Sequence, residues 1–394
     1  MVIAPAVIPN TYIRIDNFAS DADIYILTHA HTDHMQGLRA GWNAGPLFCS
    51  PVTARLLRRR GVARTVRPQE LGVPFQVTNR FDNTTMTITL INANHCPGSA
   101  MAVIENLAQG TVVFTGDFRF SEDIRRDPVL NRVAGCVQHL YMDTSFDIPW
   151  LPSKSESVRD VIALIHAFPA ENVILHSHGL GDEEILLAAA NAFPHRPFQF
   201  WNEDRLADLK ETHPKLIQTL QQRPLQRPCF HIVKSKHERR KHQLEGVEVA
   251  CSCLWFAIQG VSVNAPTVEG DLHRVPFSMH SSKDEWQELR RWLAPKATTP
   301  ICGTIASAAG DPKGIPEESG EEPQEEDEET EDPQEDADRR EEARVRAAIT
   351  ASAAFYRQAV SPFTEEEEEP REPEDTRDLL DILQSPSPKR AKLL

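Results

Sequence analysis

The chain has 394 residues, 40% of them hydrophobic, which allows two ordinary domains and an appendix. Its net charge of -16 is a tail property: residues 311–394 hold 27 acidic and 11 basic side chains, and subtracting these from the totals of 58 and 42 leaves 31 of each sign before them. The acidic balance therefore does not exclude nucleic acid as a partner of the neutral part, whereas seven cysteines with no C-x-x-C argue against a disulfide framework or a cysteine zinc finger.

The first residues, MVIAPAVIPN, lack the basic flank and long apolar core of a leader, and no run approaches the roughly 18 apolar residues that span a bilayer. A reducing, soluble setting without membrane association is expected. Asp16 ends a short apolar strand. Residues 24–27 form another, and directly after them comes Thr28-His29-Ala30-His31-Thr32-Asp33-His34. A β-branched run that stops at a His-rich loop delivers side chains from the C-terminal end of a buried strand, where open α/β sheets place their sites. With a period of two, His29 and His31 point the same way, while Asp33 and His34 turn toward a neighbouring position. One histidine on a strand is ordinarily a satisfied core residue. Three histidines and a carboxylate in six positions are hard to attribute to packing, because each buried neutral imidazole needs its own partner. The mixture of imidazole and carboxylate suits a hydrolytic zinc site better than a structural one.

Strands are then predicted at 47–49, 86–91, 100–104, 111–114 and 140–142, with a helix at 51–60. Two of them lead into further candidate ligands. Asn94-His95-Cys96-Pro97-Gly98-Ser99 follows 86–91 and aims His95 from a rigid turn. Thr115-Gly116-Asp117-Phe118-Arg119 follows 111–114 and places a carboxylate where it can bridge two cations. Asp143 ends the strand at 140–142.

From residue 153 helix and strand alternate: helix 155–168, strand 172–176, helix 182–193, strand 198–201 and a helical stretch from 204, which together resemble a second α/β unit. Strands are predicted again at 229–233 and 253–258. The run 274–280 ends on His280, and a helix at 283–293 with a stretch at 299–305 completes the folded part. Beyond residue 310 the Glu/Asp/Pro-rich chain cannot bury enough apolar surface to order itself. Within that tail, 336–360 has helix-forming composition, 375–383 reads as an acidic-amphipathic motif for a protein partner, and the basic cluster in 385–394 resembles a nuclear-import signal.

The segments HAHTDH, HCPGS, TGDFR, the Asp of YMDTS and FSMHSS resemble the metallo-β-lactamase fold nucleases that carry a β-CASP domain, in the DNA-repair branch that includes Artemis and Apollo. RIDNF around Asp16, HTDHMQGLRA and CSPVT lean toward the Artemis-like members. The resemblance covers about residues 10–305 and is weak between about 191 and 270. It implies a four-layer αββα sandwich with an inserted α/β β-CASP domain: residues 1–152 and 273–310 would form the metallo-β-lactamase domain, 153–272 the insertion and 311–394 the disordered acidic tail. It further implies that His29, His31 and His95 hold one metal and Asp33, His34 and His280 a second, with Asp117 bridging. Asp16 would sit in the outer shell and Asp143 near the second metal. His231 is the candidate β-CASP histidine.

The expected activity is zinc-dependent hydrolysis of DNA phosphodiesters by metal-activated water, with one or two zinc ions and magnesium or manganese as candidates for the second position. A nuclear 5′→3′ exonuclease, or an endonuclease on hairpins and overhangs, would fit, acting on single-stranded ends in break or crosslink repair. Asp33, Asp117, Asp143 and His280 are the candidate catalytic groups, with Asp33 and Asp143 as alternatives for the proton relay. Candidate DNA contacts are Gly179 and Gly181 in a turn before a helix, the basic residues Arg58, Arg59, Arg60, Lys234 and Lys236, and Ser281 and Ser282, although Ser282 reads better as the cap of the following helix. The competing readings are an RNA-processing β-CASP endonuclease, a glyoxalase-type thioesterase and a catalytically silent scaffold acting through the tail.

Overall fold

The computed structural model describes residues 6–18, 22–62, 64–177, 179–221, 227–270, 272–303 and 305–306. The expectations placed on 311–394 lie outside the described residues.

Two sheets face each other. The first has five strands in chain order, Ala6–Val7, Ile13–Ile15, Ile24–Ile26, Leu47–Cys49 and Val66–Pro68, parallel except for the first pair. The second has six in the order Ala297–Pro300, Val137–Met142, Thr111–Phe114, Ala100–Glu105, Thr85–Asn92 and Phe75–Thr78. Ile13, Ile15, Ile24 and Ile26 from one sheet pack against Ile88, Leu90, Ile104 and Phe114 from the other, all of them buried. Because strand side chains alternate, each sheet has a second apolar face that needs its own cover. Helix Pro51–Arg59 lays Ala54 and Leu57 on Tyr25, Leu27 and Leu47 of the first sheet. Helices Pro128–Val133 and Lys283–Leu293 lay Leu130, Leu289 and Leu293 on Val103, Val113 and Leu140 of the second. The layers thus run helix, sheet, sheet, helix, as in the metallo-β-lactamase fold.

Residues 173–275 build a third sheet, ordered Phe198–Phe200, Phe230–Val233, Val173–His176, Val247–Cys251, Leu272–Val275 and Thr267–Glu269, with helices Lys154–His166 and Glu183–Ala192 contributing to its core. After it the chain returns, and Ala297–Pro300 joins the second sheet beside Val137–Met142 in parallel. Among the described residues no helix is long and apolar enough to cross a membrane.

One predicted element has the wrong type. Residues 253–258 are not a strand but part of helix Cys253–Gln259, closed by Gly260 in the left-handed conformation at φ 65°. A short apolar run fits a buried strand and a buried helix equally well, and here the Gly stop decides. The strand in this region is Val247–Cys251, which sequence reading passed over because Glu248 interrupts its apolar run. That carboxylate is buried against His176 Nε2 at 2.7 Å and Arg239 Nη1 at 2.8 Å, which offsets its desolvation.

Candidate metal centre

The centre forms where three strands of the two facing sheets end. Strand Ile24–Ile26 hands the chain to Thr28 and the histidine loop, Thr85–Asn92 leads to the turn bearing His95, and Thr111–Phe114 leads to Asp117. Gly116 lets this approach happen. It has φ 54°, and a Cβ there would stand 2.8 Å from the Thr28 Cβ. The fifth histidine, His280, arrives just before helix Lys283–Leu293.

Each of five imidazoles spends its outer nitrogen on an acceptor. His31 Nε2 donates to the Leu180 carbonyl at 2.8 Å and His95 Nδ1 to the Met279 carbonyl at 3.0 Å. His34 Nδ1 donates to Asp16 Oδ2 and His280 Nδ1 to Asp143 Oδ2, at 2.7 and 2.8 Å. The Thr28 hydroxyl gives its hydrogen to Asp16 at 2.7 Å and so accepts from His29 Nδ1 at 3.0 Å. Carbonyls and carboxylates only accept, so the inner nitrogen of each neutral ring is a bare lone pair. These lone pairs converge: His31 Nδ1 lies 2.9 Å from His29 Nε2 and 3.1 Å from His95 Nε2.

Asp117 stands at the hub. Its Oδ2 is 3.1 Å from His34 Nε2, 3.7 Å from His95 Nε2, 3.8 Å from His29 Nε2 and 3.9 Å from His280 Nε2. Asp117 Oδ1 and His34 Nε2 are buried without a hydrogen-bond partner. Converging lone pairs and orphaned buried atoms are unfavourable unless a cation joins them, so the donor set fits a divalent metal. Among the described residues three overlapping groups could hold one: His29, His31, His95 and Cys96; His29, His34 and Asp117; His95, Asp117 and His280.

The electrostatics divide the rings. Burial, followed by the neighbouring imidazoles, holds His29 and His95 well below the ordinary histidine value, so they are neutral donors. Burial opposes charge on His34 as well, but Asp117 and Asp16 outweigh it and raise the ring well above its ordinary value. Burial pushes the Cys96 thiol well up, which makes it a neutral group at the edge of the cluster.

The remaining candidates fall in several places. Asp33 lines a cleft of about 590 Å³ beside His31, together with Arg59, Arg60, Gly179 and Lys234, but belongs to none of the three donor groups. Asp143 is not in the cluster but behind it, orienting His280 while its Oδ1 accepts from Ser145 Oγ at 2.5 Å and Cys302 Sγ at 3.1 Å. Arg59 and Arg60 reach Asp208 Oδ1 and Oδ2 at 2.5 and 3.4 Å, so both guanidiniums already hold a carboxylate. Arg58 is exposed, as is Lys234, and Lys236 opens helix Lys236–Lys241. Ser281 Oγ donates to the Phe118 carbonyl and accepts from the Phe120 amide, a buried bracing role. Ser282 closes a capping box with Glu285. His231 is away from the centre, between Cys229 Sγ at 3.3 Å and Trp201 Nε1 at 3.2 Å. Sequence reading missed Thr28, Leu180 and Met279. The last two act through main-chain carbonyls, which leave no residue signature.

Comparison with known proteins places the centre in a class. Residues 11–178 match the family model described as the beta-lactamase superfamily domain, and the donor groups assembled here could hold a metal ion. It is 33% identical over 318 residues to a protein of Gallus gallus named 5′ exonuclease Apollo, covering 75% of this chain and 63% of that one. It is 29% identical to DNA cross-link repair protein SNM1 of Arabidopsis thaliana, covering 74% and 64%, and 28% identical to protein artemis of Rattus norvegicus, covering 72% and 46%. The chain spans 63%, 54% and 54% of three Apollo relatives it matches. The lean toward Artemis-like members drawn from three short segments is not reflected in these identities.

Proposed function

We propose that the protein is a zinc-dependent DNA nuclease acting from 5′ ends in DNA repair. One observation carries the reading: five imidazoles from three separate stretches of chain converge with each outer nitrogen already paired, four of them with the inner nitrogen within 3.9 Å of Asp117 Oδ2 and His31 with its own against His29 and His95. His29, His31 and His95 would hold one cation and His34, Asp33 and His280 a second, with Asp117 shared; zinc suits the first set, and zinc, magnesium or manganese the second. Bound divalent cations lower the pKa of water and neutralise charge that builds up on a phosphate.

The chain's own residues do the rest. Asp16, through Thr28 and His34, and Asp143, through His280, orient the rings, and Asp33 at the cleft wall is placed to carry a proton. The open cleft beside the centre, with Lys234 on its wall, suits a polymer of phosphates better than a small thioester. We take residues 153–275 as a β-CASP insertion within the metal-binding domain, ending after strand Leu272–Val275 rather than at 272, since that strand pairs with Val247–Cys251. The names of the relatives favour DNA over RNA and a nuclear setting.

Digestion of matched 5′-phosphorylated DNA and RNA, as single strands, blunt duplexes and hairpins, tests the proposal. Stepwise shortening of DNA from its 5′ end is expected. RNA cleavage with DNA left intact would reject it, and hairpin opening alone would move the assignment to an endonuclease.

A further inference from the structure

The turn between strand Val173–His176 and helix Glu183–Ala192 belongs to the third sheet, yet it touches the metal centre directly. Leu180 is 3% exposed and packs with Ala30, Leu56 and Cys96, while its carbonyl accepts from His31 Nε2 at 2.8 Å. Gly181, at φ 118°, lies so close to Met279 that any Cβ would run into its sulfur. The Met279 carbonyl in turn accepts from His95 Nδ1. Two adjoining positions on the third sheet's side therefore fix the outer nitrogens of two rings.

One buried side chain ties both ends of this turn. Arg205, on helix Glu203–Thr212 and 4% exposed, donates from Nε to Ser177 Oγ at 2.8 Å, from Nη1 to Glu183 Oε1 at 2.8 Å and from Nη2 to Asp182 Oδ1. Glu183 Oε2 closes the loop by accepting from the Gly181 amide at 2.6 Å. Asp182 precedes helix Glu183–Ala192 but makes no side-chain cap, because its carboxylate is spent on Arg205. A planar guanidinium with donors in a fixed fork can hold three acceptors in one geometry, which an ammonium cannot.

We infer that Arg205 is a positioning residue for the metal centre: it ties Ser177 to Asp182 and Glu183 so that the Leu180 carbonyl sets the tautomer and direction of His31. The inference rests on the reading of His31 as a metal ligand. A carbonyl behind a ligating imidazole fixes which nitrogen carries the hydrogen, and loss of such a partner weakens metal binding without removing a ligand. Arg205 thereby links the third sheet to a centre built from the other two.

The test is cobalt(II) affinity of the full chain, measured by competition with a chromophoric chelator, for the unaltered protein, Arg205→Lys, Gly181→Ala and Leu220→Ala. Leu220 is buried in the core of the same sheet and serves as a control for general loosening. Arg205→Lys and Gly181→Ala are each expected to bind cobalt about 10-fold more weakly, while Leu220→Ala keeps its affinity. The inference is overturned if Arg205→Lys binds within about 2-fold of the unaltered chain, whatever Gly181→Ala does, or if Leu220→Ala weakens binding as much as they do. Should Arg205→Lys not fold, Gly181→Ala carries the same comparison alone. If the unaltered chain binds no cobalt, the metal centre itself is wrong and the inference falls with it.

Discussion

Asp16 shows how much of the centre depends on side chains that would touch no metal. It sits at φ 53° just after strand Ile13–Ile15, and its two oxygens accept from the Thr28 amide at 2.9 Å, the Thr28 hydroxyl at 2.7 Å and His34 Nδ1 at 2.7 Å. Through Thr28 it also fixes His29. Asp16→Ala would release two rings at once, and a 10- to 100-fold loss of metal affinity is expected, roughly the effect of removing a partner behind a ligand. Metal content after gel filtration checks this, and full occupancy in the variant would contradict it. At this scale His29, His31, His34, His95, Asp117 and His280 stood out in the sequence, because dense histidine after apolar strands has few other uses. The carbonyls of Leu180 and Met279 did not, since any residue can supply one. Asp143, expected near the second metal, bears on the centre through His280, with Ser145 and Cys302 on its other oxygen. Spacing along a chain shows that a carboxylate ends a strand, not which side of a ligand it faces.

Helix Lys283–Leu293 carries a different lesson. Its cap was legible in Ser282, and the structure adds Glu285 to make a capping box: the Ser282 hydroxyl accepts from the Glu285 amide while the Glu285 carboxylate accepts from the Ser282 amide. Ser282→Ala is therefore expected to cost about 1 kcal/mol of stability in urea unfolding and to leave substrate affinity unchanged, with Ser282→Thr restoring most of the loss. Weakened DNA binding at unchanged stability would return Ser282 to the substrate contacts. Elements with terminal signals of this kind were readable. Helix Cys253–Gln259 was misread because six apolar residues give no usable period, and Val247–Cys251 was missed because Glu248 breaks the pattern of a buried strand. For the strand the deciding contacts come from outside it, His176 and Arg239, whereas for the helix the adjacent Gly260 stop decides.

At the scale of the molecule, three sheets meet around one centre, and the third sheet adds its own buried charges to the stability of the whole. Burial opposes ionisation of Glu248, but His176 and Arg239 outweigh it and hold the carboxyl below its usual 4.5. A depressed carboxyl binds fewer protons in the folded state than in the unfolded chain. Its stabilisation is therefore complete at neutral pH and is lost as the pH falls below about 4.5. Thermal unfolding between neutral and acid pH should fall less steeply for Glu248→Gln than for the unaltered chain, and parallel curves would show that the pair contributes nothing. The four-layer order was an implication of the family resemblance carried by HAHTDH, HCPGS and TGDFR. The return of strand Ala297–Pro300 to the second sheet follows from His280, which lies far along the chain from the other ligands yet has to meet them. The central claim is that Asp117 joins two donor sets into one hydrolytic centre. It is tested most directly by incubating the full chain, loaded with divalent metal, with 5′-phosphorylated, 3′-labelled single-stranded DNA beside an Asp117→Asn variant of unchanged circular dichroism. The account predicts stepwise shortening from the 5′ end by the unaltered chain and none by the variant; equal cleavage by both would contradict it.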